Sequence, residues 1–133
     1  MTLFQMLNNK VLIFLRRKKY YSMHYKMWDY IVKHLLYASE DKLSDTRFIN
    51  DLKEAFIKDN NCGVIFENCF FCALYNGTQI KDCDGCPLYK LQGGHCACSS
   101  SIHHIVQNRQ NDRFTRIEAA KMIRDCVLRK GGK

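Results

Sequence analysis

Hydrophobic residues recur at helical spacing through most of the chain, and this pattern predicts a mainly α protein. The clearest amphipathic helix has apolar residues at positions i, i+3, i+4 and i+7, which lie on one helix face. Its apolar residues are Tyr25, Trp28, Ile31, Val32, Leu35 and Leu36. The polar run from Ser39 to Ser44 interrupts the pattern and is expected to end this helix.

Two further helices are predicted from the same periodicity. One has apolar positions between residues 48 and 56, with Ser44 or Asp45 as its N-cap. The other closes the chain, and its start is predicted from the T-x-x-E capping box formed by Thr115 and Glu118. The three predicted helices supply enough apolar surface for one modest core.

The first 22 residues are predicted to form an N-terminal arm. The apolar residues that recur in it at helical spacing are Leu3, Phe4, Leu7, Val11, Phe14 and Leu15, although the run Val11–Leu15 alone could equally be a buried strand. They are followed by a basic–aromatic cluster of Arg16, Arg17, Lys18, Lys19, Tyr20 and Tyr21. Such a segment can dock on a membrane surface or on phosphates, but a first helix with cations at its C-terminal end is favoured. Residues 23–133 are then predicted to form a single domain, since Met23 is a plausible second start.

Seven of the eight cysteines lie in residues 62–98, which are predicted to form an irregular metal module. Cys69 and Cys72 form one C-x-x-C pair, and Cys83 and Cys86 form a second. The turn signal Asn76–Gly77 between them allows at most a short hairpin, which makes the fold class mainly α with a small α+β character. Four thiols at this spacing suit one tetrahedral Zn²⁺.

The same residues also allow a different fourth ligand and a different metal centre. Cys96 is an alternative fourth ligand in place of Cys83. Iron–sulfur is the competing metal centre, because Cys86 is followed by proline, but the tight run of ferredoxin cysteines is absent. A second metal site is not expected, although one using Cys96, Cys98 and a histidine is conceivable. The candidate histidines, His95, His103 and His104, are interpreted as ordinary loop residues.

The metal is expected to be structural, because four thiolates close the coordination shell and leave no position for water. No H-x-E, G-x-S-x-G or P-loop motif occurs, so an enzyme is not expected. The formal net charge of +8 favours nucleic acid or an acidic protein as the partner. A membrane is not expected as a partner, because no apolar run reaches the roughly eighteen residues that a spanning helix needs.

The order of these features resembles that of small cysteine-rich proteins encoded by bacteriophages and prophages. The resemblance covers about residues 23–130. It rests on the helix with Trp28, the two C-x-x-C pairs, the Pro87–Leu88 that follows the second pair, Cys96 and the last helix. It implies a zinc-binding accessory protein in the cytoplasm of a bacterial host cell, where the C-x-x-C pairs also favour reduced thiols over disulfides.

The resemblance also implies how such a protein acts. It would bind and inhibit or modulate a host protein or nucleoprotein complex, such as a defence system. Candidate aromatic anchors for this contact are Tyr20, Tyr21, Tyr25 and Tyr37. The alternative is a basic zinc-containing module that binds nucleic acid. It would use the four cations from Arg16 to Lys19, helped by Arg109, Arg113 and Arg116.

Overall fold

The structure is a computed structural model that describes residues 2–63, 65, 69–75, 86, 87 and 101–128. Its helices are α1 (Leu3–Tyr37), α2 (Glu40–Leu43), α3 (Phe48–Asp59), α4 (Phe70–Tyr75), α5 (Ser101–Gln107) and α6 (Arg113–Asp125), and a 3₁₀ turn (Cys126–Leu128) follows α6. The prediction of a mainly α fold is confirmed for this part of the chain. Most of the predicted metal module, with the turn at Asn76–Gly77, lies outside the described residues.

The N-terminal arm and the Trp28 helix form one continuous helix. Thr2 begins α1 with a capping box, in which its hydroxyl accepts from the backbone N–H of Gln5 and the Gln5 side chain accepts from that of Thr2. The 35 residues of α1 span about 52 Å at 1.5 Å per residue. The predicted boundary after residue 22 therefore falls inside a helix, and side chains are exposed from residue 2 to residue 19.

The segment after α1 differs from its prediction in two details. The stretch from Ser39 to Ser44 contains the short helix α2, whose N-cap Ser39 accepts from the N–H of Lys42 at 3.3 Å. The predicted caps of α3 are wrong, because α3 begins after Arg47, which makes no side-chain cap hydrogen bond. Asp45 instead accepts from the N–H of Arg47 at 2.9 Å, which uses its carboxylate in the preceding turn.

The predicted start of the last helix is also wrong. The N-cap of α6 is Asp112, whose carboxylate accepts from the N–H of Thr115 at 2.7 Å. A charged acceptor makes the stronger cap, and Thr115 is thereby left inside the first turn. Glu118 lies further along the helix, 4.0 Å from Lys121, rather than completing a capping box.

The core is organised around one stripe of α1. His24, Trp28, Ile31 and Leu35 recur on this stripe and are at most 1% exposed. Helix α1 packs chiefly against α6, and it also contacts α4 and α3. Buried partners on these helices are Phe56, Phe70, Phe71, Ile117, Ala120 and Ile123. Thus α1 is the element on which the segment with the first cysteine pair is placed.

Candidate metal centre and interaction surfaces

The first cysteine pair is held against α1 by the two phenylalanines between its members. Phe70 and Phe71 are at most 1% exposed. Tyr20 meets the ring of Phe70 edge-on at 5.9 Å between centroids, and Tyr21 meets that of Phe71 at 5.3 Å. Each such contact contributes about 0.5–1.5 kcal/mol beyond burial. The C-F-F-C sequence therefore anchors its cysteines on the helical bundle.

Two of the predicted zinc ligands are described with their side chains. Cys69 and Cys86 are each 7% exposed and belong to the same buried cluster. Buried thiols of this kind suit Zn²⁺, which binds thiolates in closed structural sites. Cys72 lies within α4, but its side chain is outside the described part, as are Cys83 and Cys96. Among the described residues, no group of three or more potential ligands is assembled.

A buried histidine lies beside this segment and was not singled out by the sequence. His24 stacks on Phe71 with 4.0 Å between ring centroids, and its Nε2 donates to the carbonyl of Ile123 at 2.7 Å. A carbonyl only accepts, so Nε2 carries a proton in this contact. Burial lowers the pKa of His24 to about 4. Its i, i+4 spacing from Trp28 on the core stripe was the available signal.

A second buried histidine shows that one sequence interpretation was wrong. His103 and His104 were both predicted to be loop residues, but both lie in α5. His103 is 7% exposed and meets Trp28 edge-on at 5.5 Å. Burial, and next the charge of Lys53, lower the pKa of His103 to about 3. The Lys53 ammonium lies 5.2 Å from the Trp28 ring centroid, in a cation–π contact. Trp28 thus lies between a neutral histidine and a cation inside the core.

The arginines at the start of α6 are used to hold helix ends. Arg116 is 1% exposed and donates to the carbonyls of Val106 and Leu43, which end α5 and α2. Arg113 donates to the carbonyls of Leu35 and Leu36 in the last turn of α1. Cations are stabilising at helix C-termini, where carbonyls lack partners. Arg116 is therefore not available to phosphates.

The basic–aromatic cluster divides into two parts. The cations Arg16, Arg17, Lys18 and Lys19 are exposed on α1. Tyr20 and Tyr21 are half-buried. Tyr20 packs on Phe70, and Tyr21 packs on Phe71. Tyr25 is also partly buried, with the Arg124 guanidinium 5.5 Å from its ring centroid. Of the four candidate aromatic anchors, Tyr37 is the one whose side chain is largely free in solvent, at 87% exposure.

Tyr37 stands at the rim of a surface groove of about 490 Å³ between α1, α2 and α3. Phe48 and Leu52 form its apolar floor. Lys33 and Lys42 lie on its rim. An apolar depression with a cationic rim suits a segment that combines an apolar side chain with carboxylates.

Comparisons with protein-family models, with curated proteins and with solved structures find no match to this chain. In the part of the chain that the structure describes, no helix is long and apolar enough to cross a membrane.

Proposed function

We propose that the protein is a phage-type, zinc-binding accessory protein that binds a bacterial host protein or nucleoprotein complex and thereby inhibits or modulates it. The observation that carries this proposal is Tyr37, which is 87% exposed beside the groove between α1, α2 and α3. Tyrosine is among the residues enriched at the centres of protein interfaces, because its large ring contributes area at low entropic cost. An isolated exposed aromatic contributes little to the stability of the fold.

The chemistry of the groove indicates the kind of segment that it would accept. Its floor offers Phe48 and Leu52 to an apolar side chain. Lys42 forms no ion pair with another residue in the described part of the chain, whereas Lys33 pairs with Asp29 at 2.9 Å in an exposed, weak i, i+4 ion pair. With the chain at +8, an acidic partner would also be attracted before contact. The partner is therefore proposed to be an acidic protein surface with a protruding apolar residue.

Zinc has a structural role in this proposal. Bound by Cys69, Cys72, Cys86 and either Cys83 or Cys96, it would supply a rigid cross-link in the segment that packs on α1 through Phe70 and Phe71. Its closed thiolate shell would offer no position for substrate.

The proposal is tested by placing a photoreactive phenylalanine analogue at position 37 of the full chain, in host cells. Phe114 is the matched control position, because it is an aromatic residue that is 70% exposed on a different helix. A single host protein is expected to be cross-linked from position 37 and not from position 114. Equal labelling from both positions, or none from position 37, would refute the proposal.

Nucleic-acid binding remains the second candidate, supported by four exposed cations from Arg16 to Lys19. The helpers proposed from α6 do not add to it, since Arg116 is buried and Arg113 is bound to the end of α1. A gel-shift assay at low salt, with duplex and single-stranded probes, tests this candidate. Binding that weakens steeply with salt is expected from phosphate contacts, and its absence eliminates the candidate.

A further inference from the structure

The N-terminal arm is exposed at every position from residue 2 to residue 19. Its large apolar side chains are exposed too, with Phe4 at 78%, Phe14 at 61% and Leu7 at 54%. An isolated exposed leucine needs no explanation, but a continuous apolar surface on a projecting helix marks an interaction site. None of these side chains belongs to the core formed by the described residues of the helical body.

Most of the exposed apolar residues of the arm share one face. At ~100° per residue, six of the nine fall within an arc of about 120° centred between Leu7 and Val11, and Met6, Leu12 and Ile13 lie outside it. The members of this face are Leu3, Phe4, Leu7, Val11, Phe14 and Leu15. The arc is turned roughly 110° from the core stripe of α1, and the continuation of that stripe into the arm carries Lys10 and Arg17 together with Met6 and Ile13. Met6 and Ile13 are exposed as well, at 45% and 42%, so the arm is an exposed apolar surface with one dominant face.

The charge of the arm restricts what can cover it. No acidic residue occurs between residues 2 and 28, and the first is Asp29. The four cations from Arg16 to Lys19 are consecutive, so they surround the helix axis at the end of the apolar run. Lys10 adds a further cation at one edge of the apolar face. The covering surface must therefore offer both apolar contact and negative charge.

An anionic bilayer offers both. A second copy would place Lys10 and the four cations against the same residues, without an acidic partner to balance them. Nucleic acid would neutralise the cations but leave Phe4, Leu7 and Phe14 in water. The apolar run of residues 3–15 is about 20 Å long, too short to span a hydrocarbon core of ~30 Å but suited to lying in the interface.

We propose that the arm is an amphipathic membrane anchor that lies in the surface of an anionic bilayer. The apolar face is buried among the acyl chains, and Lys10 and the cations from Arg16 to Lys19 contact lipid phosphates. This changes the sequence-based expectation that a membrane is not a partner. It also goes beyond the proposed function, because the anchor and the Tyr37 groove lie at opposite ends of α1.

The test is sedimentation of the full chain with vesicles of phosphatidylcholine alone, and of phosphatidylcholine mixed equally with phosphatidylglycerol. Binding is expected to the anionic vesicles and to fall with added salt. Phe14→Ser should weaken binding about tenfold or more, from loss of the buried ring. Arg16→Gln/Arg17→Gln should weaken it roughly 25-fold, at about fivefold per cation near an anionic surface.

Matched controls keep these variants interpretable. Phe114→Ser removes an equally exposed ring from the body, and Lys58→Gln/Arg109→Gln removes two exposed cations from it. Both should bind anionic vesicles like the unaltered chain. The emission of Trp28, the single tryptophan and 1% exposed, reports in every case that the body is folded.

Three results would overturn the proposal. The first is that neither vesicle binds, and the second is that Phe14→Ser binds anionic vesicles as tightly as Phe114→Ser. The third is that the chain self-associates without lipid through Phe14 and binds no vesicle, which would assign the arm to a second copy. These outcomes do not involve the Tyr37 groove, so the proposed function is tested separately by the cross-linking experiment.

Discussion

The Arg116 guanidinium donates from Nη1 to the carbonyl of Leu43 at 2.8 Å, across 73 residues of sequence. Its Nε donates to the carbonyl of Val106 at 2.7 Å. One buried side chain near the start of α6 thus satisfies carbonyls in the last turns of α2 and α5. A charged donor at a helix C-terminus is favourable, and here it replaces water that burial has excluded.

Replacing Arg116 is therefore expected to destabilise the whole bundle. Arg116→Met retains an apolar stem but leaves two buried carbonyls without their donor, at a cost of about 3 kcal/mol in the free energy of unfolding. Urea unfolding followed by Trp28 emission measures this. Arg109→Met removes an exposed arginine from the turn before α6 and should change the value by less than ~0.5 kcal/mol. Similar losses in the two variants would contradict the assigned role.

Acid should destabilise the fold through its buried histidines. The pKa of His24 is lowered to about 4 and that of His103 to about 3, both by burial, from an ordinary value of 6.5. As the pH falls below 6.5, the unfolded chain takes up these protons first, so stability is lost until the folded pKa values are reached. Between neutral pH and about pH 5, the expected loss is about 2 kcal/mol per histidine.

Zinc thiolates would also take up protons in acid. The contribution of a histidine to acid sensitivity is therefore isolated by comparing variants. His24→Gln removes one titrating group, so its loss of stability between neutral pH and about pH 5 should be smaller by about 2 kcal/mol. His104→Gln replaces an exposed histidine next to His103, so this variant should lose as much stability between the two pH values as the unaltered chain. Unfolding titrations at both pH values measure the difference. An unchanged pH dependence in His24→Gln would show that its burial does not affect acid stability.

Zinc binding is expected to require both buried thiols. Cys69→Ser and Cys86→Ser should each lose the metal and unfold the module, since metal binding in small zinc modules contributes on the order of 10 kcal/mol to folding. Elemental analysis and thermal melting measure the two effects. Cys126→Ser alters a cysteine that is 1% exposed but lies outside the two pairs, so it should keep its zinc. Unchanged metal content in both of the first variants would refute the ligand assignment.

The choice between Cys83 and Cys96 is tested in the same way. Cys83→Ser is expected to lose zinc, whereas Cys96→Ser should keep it, because the second C-x-x-C pair presents both sulfurs to one ion. The reverse pattern would make Cys96 the fourth ligand. Red or brown protein that absorbs in the blue would indicate iron–sulfur in place of zinc.

The arm should contribute little to the stability of the body. Leu7→Ser and Phe14→Ser alter side chains that are more than half exposed, so each should change the free energy of unfolding by less than ~0.5 kcal/mol. Phe71→Ala, which removes a fully buried ring, should cost about 3–5 kcal/mol. Urea unfolding of the three variants makes the comparison. A large loss in either arm variant would mean that the arm packs on the body in solution.

The strongest periodic signals in the sequence predicted the fold well. The stripe with Trp28, Ile31 and Leu35 is the central core face, because helical spacing and burial coincide there. The helix caps were predicted less well, because residues that can act as an N-cap are common and often occur at neighbouring positions. Asp112 and Thr115 both qualify as caps, and the choice depends on where the preceding loop enters the helix.

The roles of the buried polar residues required the three-dimensional structure. Nothing in the sequence distinguishes Arg116 from the exposed Arg109, because the partners of Arg116 are carbonyls on other helices. His103 was misassigned because the segment before α6 lacks a long periodic pattern. The sequence also does not distinguish Tyr20 from Tyr37. Tyr20 packs on Phe70, whereas Tyr37 lies in solvent.

Native mass spectrometry of the full chain purified from bacterial host cells tests the central claim most directly, because it reports metal and partner together. The account predicts one zinc per chain and a host protein bound to the unaltered chain. In Tyr37→Ser the zinc should remain and the host protein should be lost, while Phe114→Ser should retain both. A zinc-loaded chain without a partner, or a partner that binds Tyr37→Ser equally well, would contradict the account.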